Sequence, residues 1–406
     1  MRKTMNGAAL AILLAGLSMT PAAAAAQTEL VLWHAYRGAE RAAFEKVVAN
    51  FNKEQGGAIA VSTLPVPWDA MPDKITAAVP RGKGPDLMIY PQDRLGGWVE
   101  AGNTIEPIDF YLEDEIVERF IPTTMQAMTY QDTVYGLPLN FKVITQIYNK
   151  KLVKMPPKTS TELVATAKKL TDAATGRFGL AYAYQDFYYH ASLMNAFGGA
   201  VFDAAGKPTM NSAANIKALD YLLGWMDRDK ILPAEPSTAL ITTLFNEGKA
   251  AIVFSGPWFL GEIAEGVDYG LAPLPEIVEA GSPMRPWMTV EGLYIAAPSA
   301  HKEEAYEFVK YVTDLPSARI MALEGRQTPA NSKVYDDPKV AADAQLASFR
   351  GQVAVAVPMP NRPEMAMVWS PATTAMNVIT KKTATPKNAM DQAQKEVTER
   401  VAALLK

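Results

Sequence analysis

Residues 28–101 constrain the fold most, because their hydrophobic spacing switches repeatedly between a strand period and a helix period. "TELVLW" (28–33) is rich in β-branched and aromatic residues and predicts a strand. "ERAAFEKVVANFNKEQ" (40–55) places Phe44, Val47, Val48 and Phe51 at i, i+3, i+4, i+7, the spacing of one helix face. "AIAVSTLPV" returns to a strand, a helix follows near 70–79, Leu87–Tyr90 forms another apolar run, and a helix is expected around 94–101. The order β-α-β-α-β implies a parallel sheet with right-handed crossovers. In such open sheets, ligands bind beyond the carboxyl ends of the strands. The residues just past the three strands are "HAYRG" (34–38), "PVPWD" (65–69) and "YPQDR" (90–94). Tyr36, Arg37, Trp68, Tyr90, Asp93 and Arg94 should therefore converge on one edge.

A second α/β unit follows. Residues 160–171 predict a helix, 178–183 a strand, and "YQDFYYH" (184–190) a loop entering another helix. Residues 213–228 predict a helix, and "LFNEGKAAIVFSGPWFLGEI" (244–263) a helix end, a strand, a tight turn and a helix. From 303 onward the pattern is mainly helical. The chain has 406 residues, enough for two or three domains.

The N-terminus has the pattern of a secretory signal peptide. Arg2 and Lys3 precede an apolar run, Ala8–Leu17, and "PAAAAAQ" offers cleavage after Ala26. Residues 1–26 carry two basic and no acidic residues, so their removal takes the formal net charge from −4 to −6. That balance argues against a nucleic-acid partner. No other stretch approaches the ~20 apolar residues of a spanning helix. With no cysteine anywhere, there is neither a disulfide framework nor an N-terminal Cys to lipidate. The mature protein is expected to be free in the periplasm, neither membrane-inserted nor lipid-anchored.

Several segments resemble the maltose-binding protein family of ABC-transporter solute receptors. They are "LVLWHAYRG" (30–38), "GPDLMIYPQDRLGGWVEAG" (84–102), "YGLPLNFKVITQIYNKKLVKMPPKTSTEL" (135–163), "FNEGKAAIVFSGPW" (245–258) and "MPNRPEMAMVWSPATTAMNVI" (359–379). They occur in the family's order and span nearly the whole mature chain. The resemblance implies an α/β, two-lobe periplasmic binding protein fold (type II). Its sheets would be mixed but mainly parallel, with a hinge and a central cleft that grips maltose, a maltodextrin or a related oligosaccharide. One lobe would comprise 27–140 plus 292–337, the other 143–287 plus 338–406. It implies a monomer that delivers sugar to inner-membrane ABC permease subunits, without cofactor or metal.

The residues fit that implication. Aromatic planes bury the C–H faces of a sugar, and charged groups hydrogen-bond its hydroxyl rim. The resemblance places Tyr90, Tyr188, Trp258 and Trp369 as stacking rings, and Arg37, Asp93, Arg94 and Asp186 as hydroxyl partners. Trp68 joins them by its strand-end position. Asp186 stands where the family has a Glu. Lys142 stands where the family has a sugar-binding acid, and Thr373 where it has an Arg. Lys142 is expected either to line the cleft or to extend to solvent. Trp33, Trp98 and Trp225 are expected in the core, and Trp287 at the hinge or in the cleft. Taken alone, Asp93–Arg94 also fits a solvated turn or a structural ion pair.

The competing class is a secreted carbohydrate hydrolase using Asp93 and Asp186 as paired carboxylates. The lone S-x-x-K, "SAHK" (299–302), lacks its K-T-G and S-D-N partners. The histidines at 34, 190 and 301 have no zinc-ligand spacing. A surface lectin is disfavoured because the sequence has no anchor or repeat.

Overall fold

The computed structural model describes residues 27–404. The signal-peptide segment, 1–26, lies outside the described residues.

The β-α-β-α-β run forms as its spacing predicts. Strand Thr28–His34 pairs in parallel with Ile59–Pro65 on one side and with Leu87–Pro91 on the other. Helix Gly38–Glu54 crosses between the first two. Side-chain alternation splits these strands between two cores, as the pleat requires. Leu30, Leu32, Leu87 and Ile89 pack with Phe44, Val47 and Phe51 of the helix and with Phe308 and Val312. Trp33, Met88 and Tyr90 face the opposite side, toward Trp98. Each fully buried Phe or Leu here contributes about 1.5–3 kcal/mol.

This first sheet is six-stranded and is completed by chain from far away. The long strand Trp287–Ile295 runs antiparallel to Leu87–Pro91 and to Gly136–Lys142, and parallel to Val357–Pro358. The second sheet has four strands, Tyr269–Ala272, Thr145–Asn149, Ala250–Ser255 and Phe178–Ala181, in that spatial order. Only the last pair is parallel; Thr145–Asn149 is antiparallel to both neighbours.

Two residues separate Gly136–Lys142 in the first sheet from Thr145–Asn149 in the second. The chain returns to the first sheet before Trp287, because the whole of Trp287–Ile295 is paired there. Helices Lys302–Val312 and Leu315–Leu323 pack on the first lobe. Helices Met365–Thr380 and Pro386–Leu404 pack on helices Phe187–Ala196 and Ala213–Leu223 of the second. The core assignments hold: Trp33, Trp98 and Trp225 are buried. So is Trp287, which takes the packing role of its two expected roles. No helix among the described residues is long and apolar enough to cross a membrane.

Candidate functional site

Strand ends position the first wall. Arg37 follows the first strand, in extended backbone at the N-cap of helix Gly38–Glu54. Gly38 takes the chain into the helix at φ +53°, a conformation that costs glycine little. Trp68 follows the second strand. Its indole stacks on the Tyr90 ring, centroids 5.0 Å apart and planes inclined by 25°. Tyr90 is buried, whereas Trp68 remains 48% exposed and has surface left to offer. Asp93 and Arg94 lie on the short turn after the third strand. Asp93 is buried, with Arg94 Nε 3.3 Å from its Oδ2.

The second wall is mostly aromatic. Asp186 caps helix Phe187–Ala196, its Oδ1 accepting from the Tyr188 amide at 2.9 Å. The Tyr188 ring lies 6.2 Å from Trp258 and 6.4 Å from Trp287, and Trp287 meets Trp369 edge-on at 5.8 Å. Trp258, Tyr188 and Trp369 are half-buried, and Trp287 backs them from inside. Gly256 admits Trp258 at the turn, since a Cβ there would run into the indole.

Two direct contacts join the walls. Trp369 Nε1 donates to Asp93 Oδ2 at 3.0 Å. Arg37 Nη2 lies 2.9 Å from Glu262 Oε1. A small cavity beside the second contact is lined by Arg37, Glu262, Trp258, Tyr189, Ser255 and Thr242.

Burial pushes the Asp93 carboxyl up to about 6, although the Arg94 guanidinium and the Trp369 N–H pull it back. Asp186 is raised as well, first by lost hydration and then by the Asp69 charge. Its side chain keeps solvent access even so. Burial, then Asp93, holds the Tyr90 hydroxyl far above its usual range. The two acids of the hydrolase alternative thus feel different neighbours, Arg94 for Asp93 and Asp69 for Asp186.

Nine of the ten residues singled out by sequence lie along these walls. Lys142 does not extend to solvent, the second of its expected settings: it is buried with its Nζ 2.8 Å from Glu291 Oε1 and 3.2 Å from Glu40 Oε2. An ammonium beside two carboxylates is held by them: burial alone would lower the Lys142 pKa, and the acids outweigh it. Sequence reasoning passed over Glu40, Glu262, Glu291 and Gln92. Buried Gln92 donates to the Met359 carbonyl and accepts from the Val290 amide, fixing the third strand end. Only Glu40 carried a local signal, as an acid three residues past an N-cap.

The family model for bacterial extracellular solute-binding proteins matches residues 37–316, and the chain belongs to that family. A maltotriose-binding protein of Pyrococcus abyssi is 31% identical over 364 residues, covering 87% of this chain and 78% of that protein. A galactooligosaccharide-binding protein of Bacillus subtilis is 28% identical over 380 residues, covering 90% and 88%. Among solved structures, the maltose/maltodextrin-binding domain MalE from Bdellovibrio bacteriovorus, bound to maltotriose, superposes with a TM-score of 0.86. It is 27% identical, with 92% of this chain and 100% of that one covered. The two-lobe fold expected from sequence is therefore established, but its sheets depart from the mainly parallel pattern expected: the second holds one parallel pair and two antiparallel ones.

Proposed function

We propose that this chain is the periplasmic binding subunit of an ABC importer for maltodextrins or a related oligosaccharide. The observation that carries the reading is the pairing of a charged wall with an aromatic one. Arg37, Asp93 and Arg94 face Tyr188, Trp258 and Trp369 across a gap already bridged by Asp93–Trp369. A sugar needs both kinds of surface, stacked rings for its faces and charged groups for its rim. The relatives named above, which bind maltotriose and galactooligosaccharides by their descriptions, support an oligosaccharide over a single sugar.

In this reading the lobes follow the expected bounds, 27–140 with 292–337 and 143–287 with 338–406, revised so that strands Gly136–Lys142 and Trp287–Ile295 fall whole into the first, while Val357–Pro358 reaches back to its sheet. The strand pairs Gly136–Lys142 and Trp287–Ile295 carry the hinge. Binding closes the lobes around the ligand, and the closed form docks on inner-membrane permease subunits. The protein acts as a monomer, without catalysis, and is released into the periplasm after cleavage at Ala26.

Titration calorimetry and thermal shift against maltotriose, maltotetraose and galactooligosaccharides test the proposal. A ligand at 100 times its Kd should add ~2.7 kcal/mol of stability. Absence of any shift or heat across the series would overturn it. Release of new reducing ends from maltotetraose would favour the hydrolase instead.

A further inference from the structure

Behind the first wall lies a polar cluster that reaches the cleft through one residue. Lys142, on the strand that crosses to the second lobe, holds Glu291 Oε1 and Glu40 Oε2. Tyr36 donates its hydroxyl to Glu291 Oε2 at 2.9 Å. Asn140 Nδ2 contacts the Tyr36 hydroxyl at 3.1 Å and Glu291 Oε2 at 3.3 Å. Glu40 is thus engaged by Lys142 through one oxygen. Its other oxygen, Oε1, accepts from the Arg37 backbone N–H at 3.3 Å. Arg37 then spans the cleft to Glu262 Oε1, while Glu262 Oε2 accepts from the Thr242 hydroxyl at 2.9 Å.

We propose that Lys142 is a positioning residue for the cleft, acting through the Glu40 carboxylate to fix the Arg37 backbone so that its guanidinium spans to the second wall. The link is continuous: crossover strand, Glu40, Arg37, Glu262. Arg37 is the pivot because Gly38, beside it, sits at φ +53° and turns the chain sharply. Any rotation at that pivot is magnified at the far end of the long Arg37 side chain. The same Glu40 bond caps helix Gly38–Glu54 at its N3 position, so the helix start and the Arg37 backbone are fixed together. The ion pair Arg37–Glu262 is half-exposed and contributes little by itself. Its geometry depends on how the Arg37 backbone is held.

The test has two arms, and only the second rests on the oligosaccharide reading. In the first, the full chain without sugar is labelled with 15N-arginine, and the Arg37 side-chain N–H signal is assigned by its loss in Arg37→Lys. Wild type and Lys142→Arg should show a protected Arg37 signal. Lys142→Met, Glu40→Leu and Glu262→Gln should each lose that protection by about tenfold in exchange rate. An unchanged Arg37 signal in folded Lys142→Met overturns the proposal. Should Lys142→Met not fold, Glu40→Leu decides instead, because it removes both carboxylate oxygens, whereas Gln there still accepts from the Arg37 N–H; an unchanged Arg37 signal in folded Glu40→Leu overturns the proposal. In the second arm, maltotriose affinity should fall about threefold to tenfold in Glu40→Leu. The Arg37→Ala/Glu40→Leu double variant should bind no more weakly than Arg37→Ala. Additive losses would overturn the proposal. A wild type that binds no sugar would sink the oligosaccharide reading and leave the first arm to decide.

Discussion

The two walls of the cleft are supported in opposite ways. The first presents Arg37, Asp93 and Arg94, and at its Arg37 end it is backed by ions: Lys142, Glu40 and Glu291 lie buried there. The second presents Tyr188, Trp258 and Trp369 and is backed by Trp287 and Phe187, whose rings meet at 5.7 Å. A ring is positioned adequately by close packing. A guanidinium or carboxylate needs its direction set as well as its place, and hydrogen bonds do that better than contact. A lysine paired with two buried acids stands where the resemblance implies a sugar-binding acid. In the proposed arrangement its ammonium organises the wall from behind.

Breaking the ionic backing should have the largest effect. Lys142→Glu would leave three acids together without their cation, and removing one partner of a buried pair costs about 3–5 kcal/mol. Calorimetry should show a lowered Tm without any sugar. An unchanged Tm would mean that the first wall does not rest on its ions.

The aromatic wall should respond differently. Trp258→Ala should weaken oligosaccharide binding by roughly 1–3 kcal/mol while leaving Tm nearly unchanged, because the ring is half-buried at a turn. Unchanged affinity in the folded variant would remove Trp258 from the site.

Protonation probes the first wall through Asp93, where burial pushes the carboxyl up to about 6; Asp186 on the second wall is raised as well. Asp93 titrates near 6 in the fold against 3.8 for a free side chain. As pH falls, the folded chain takes up this proton before the unfolded one does. The Asp93 contribution to stability is therefore least favourable above about pH 6 and improves as pH drops toward 3.8. Binding follows the opposite course. In the proposed site the carboxylate accepts from a sugar hydroxyl, so binding should weaken below about pH 6. Asp93→Asn should flatten that profile. Titrations across this range in both proteins decide, and parallel pH profiles would exclude Asp93 as the titrating group.

The smallest effect should come from the Arg37–Glu262 bridge. It is half-exposed and worth under about 1 kcal/mol. In the absence of sugar, a tenfold rise in ionic strength should screen it and enlarge the particle slightly in small-angle scattering. Glu262→Gln should remove the salt dependence. Saturating maltotriose should shrink both proteins to the same size, and identical dimensions with and without sugar would count against lobe closure.

The first β-α-β-α-β run was legible because its signals are local. Phe44, Val47, Val48 and Phe51 mark one helix face, and Leu87–Tyr90 one buried strand. Backbone geometry carries such periods wherever the segment lies. The strand-end rule then located Arg37, Trp68, Tyr90, Asp93 and Arg94, because a parallel sheet puts its loops at one edge. Tyr188, Trp258 and Trp369 were reached by resemblance, since no local period marks a ring that faces across a gap.

By itself, the sequence determined the alternation of strands and helices, the edge where a site belongs, and the residues able to stack or hydrogen-bond there. Tertiary structure alone decided what those residues touch. Glu291 is 149 positions from Lys142, and Glu262 is 225 from Arg37. Nothing local in the chain pairs them. The partner of a buried charge is set by which strand ends up beside it, and Trp287–Ile295 reaches Gly136–Lys142 only after the chain has built most of the second lobe. Lys142 is the clearest instance. Its chemistry was known from its letter, but whether that charge met a sugar, water or two carboxylates depended on the strand that folded against it.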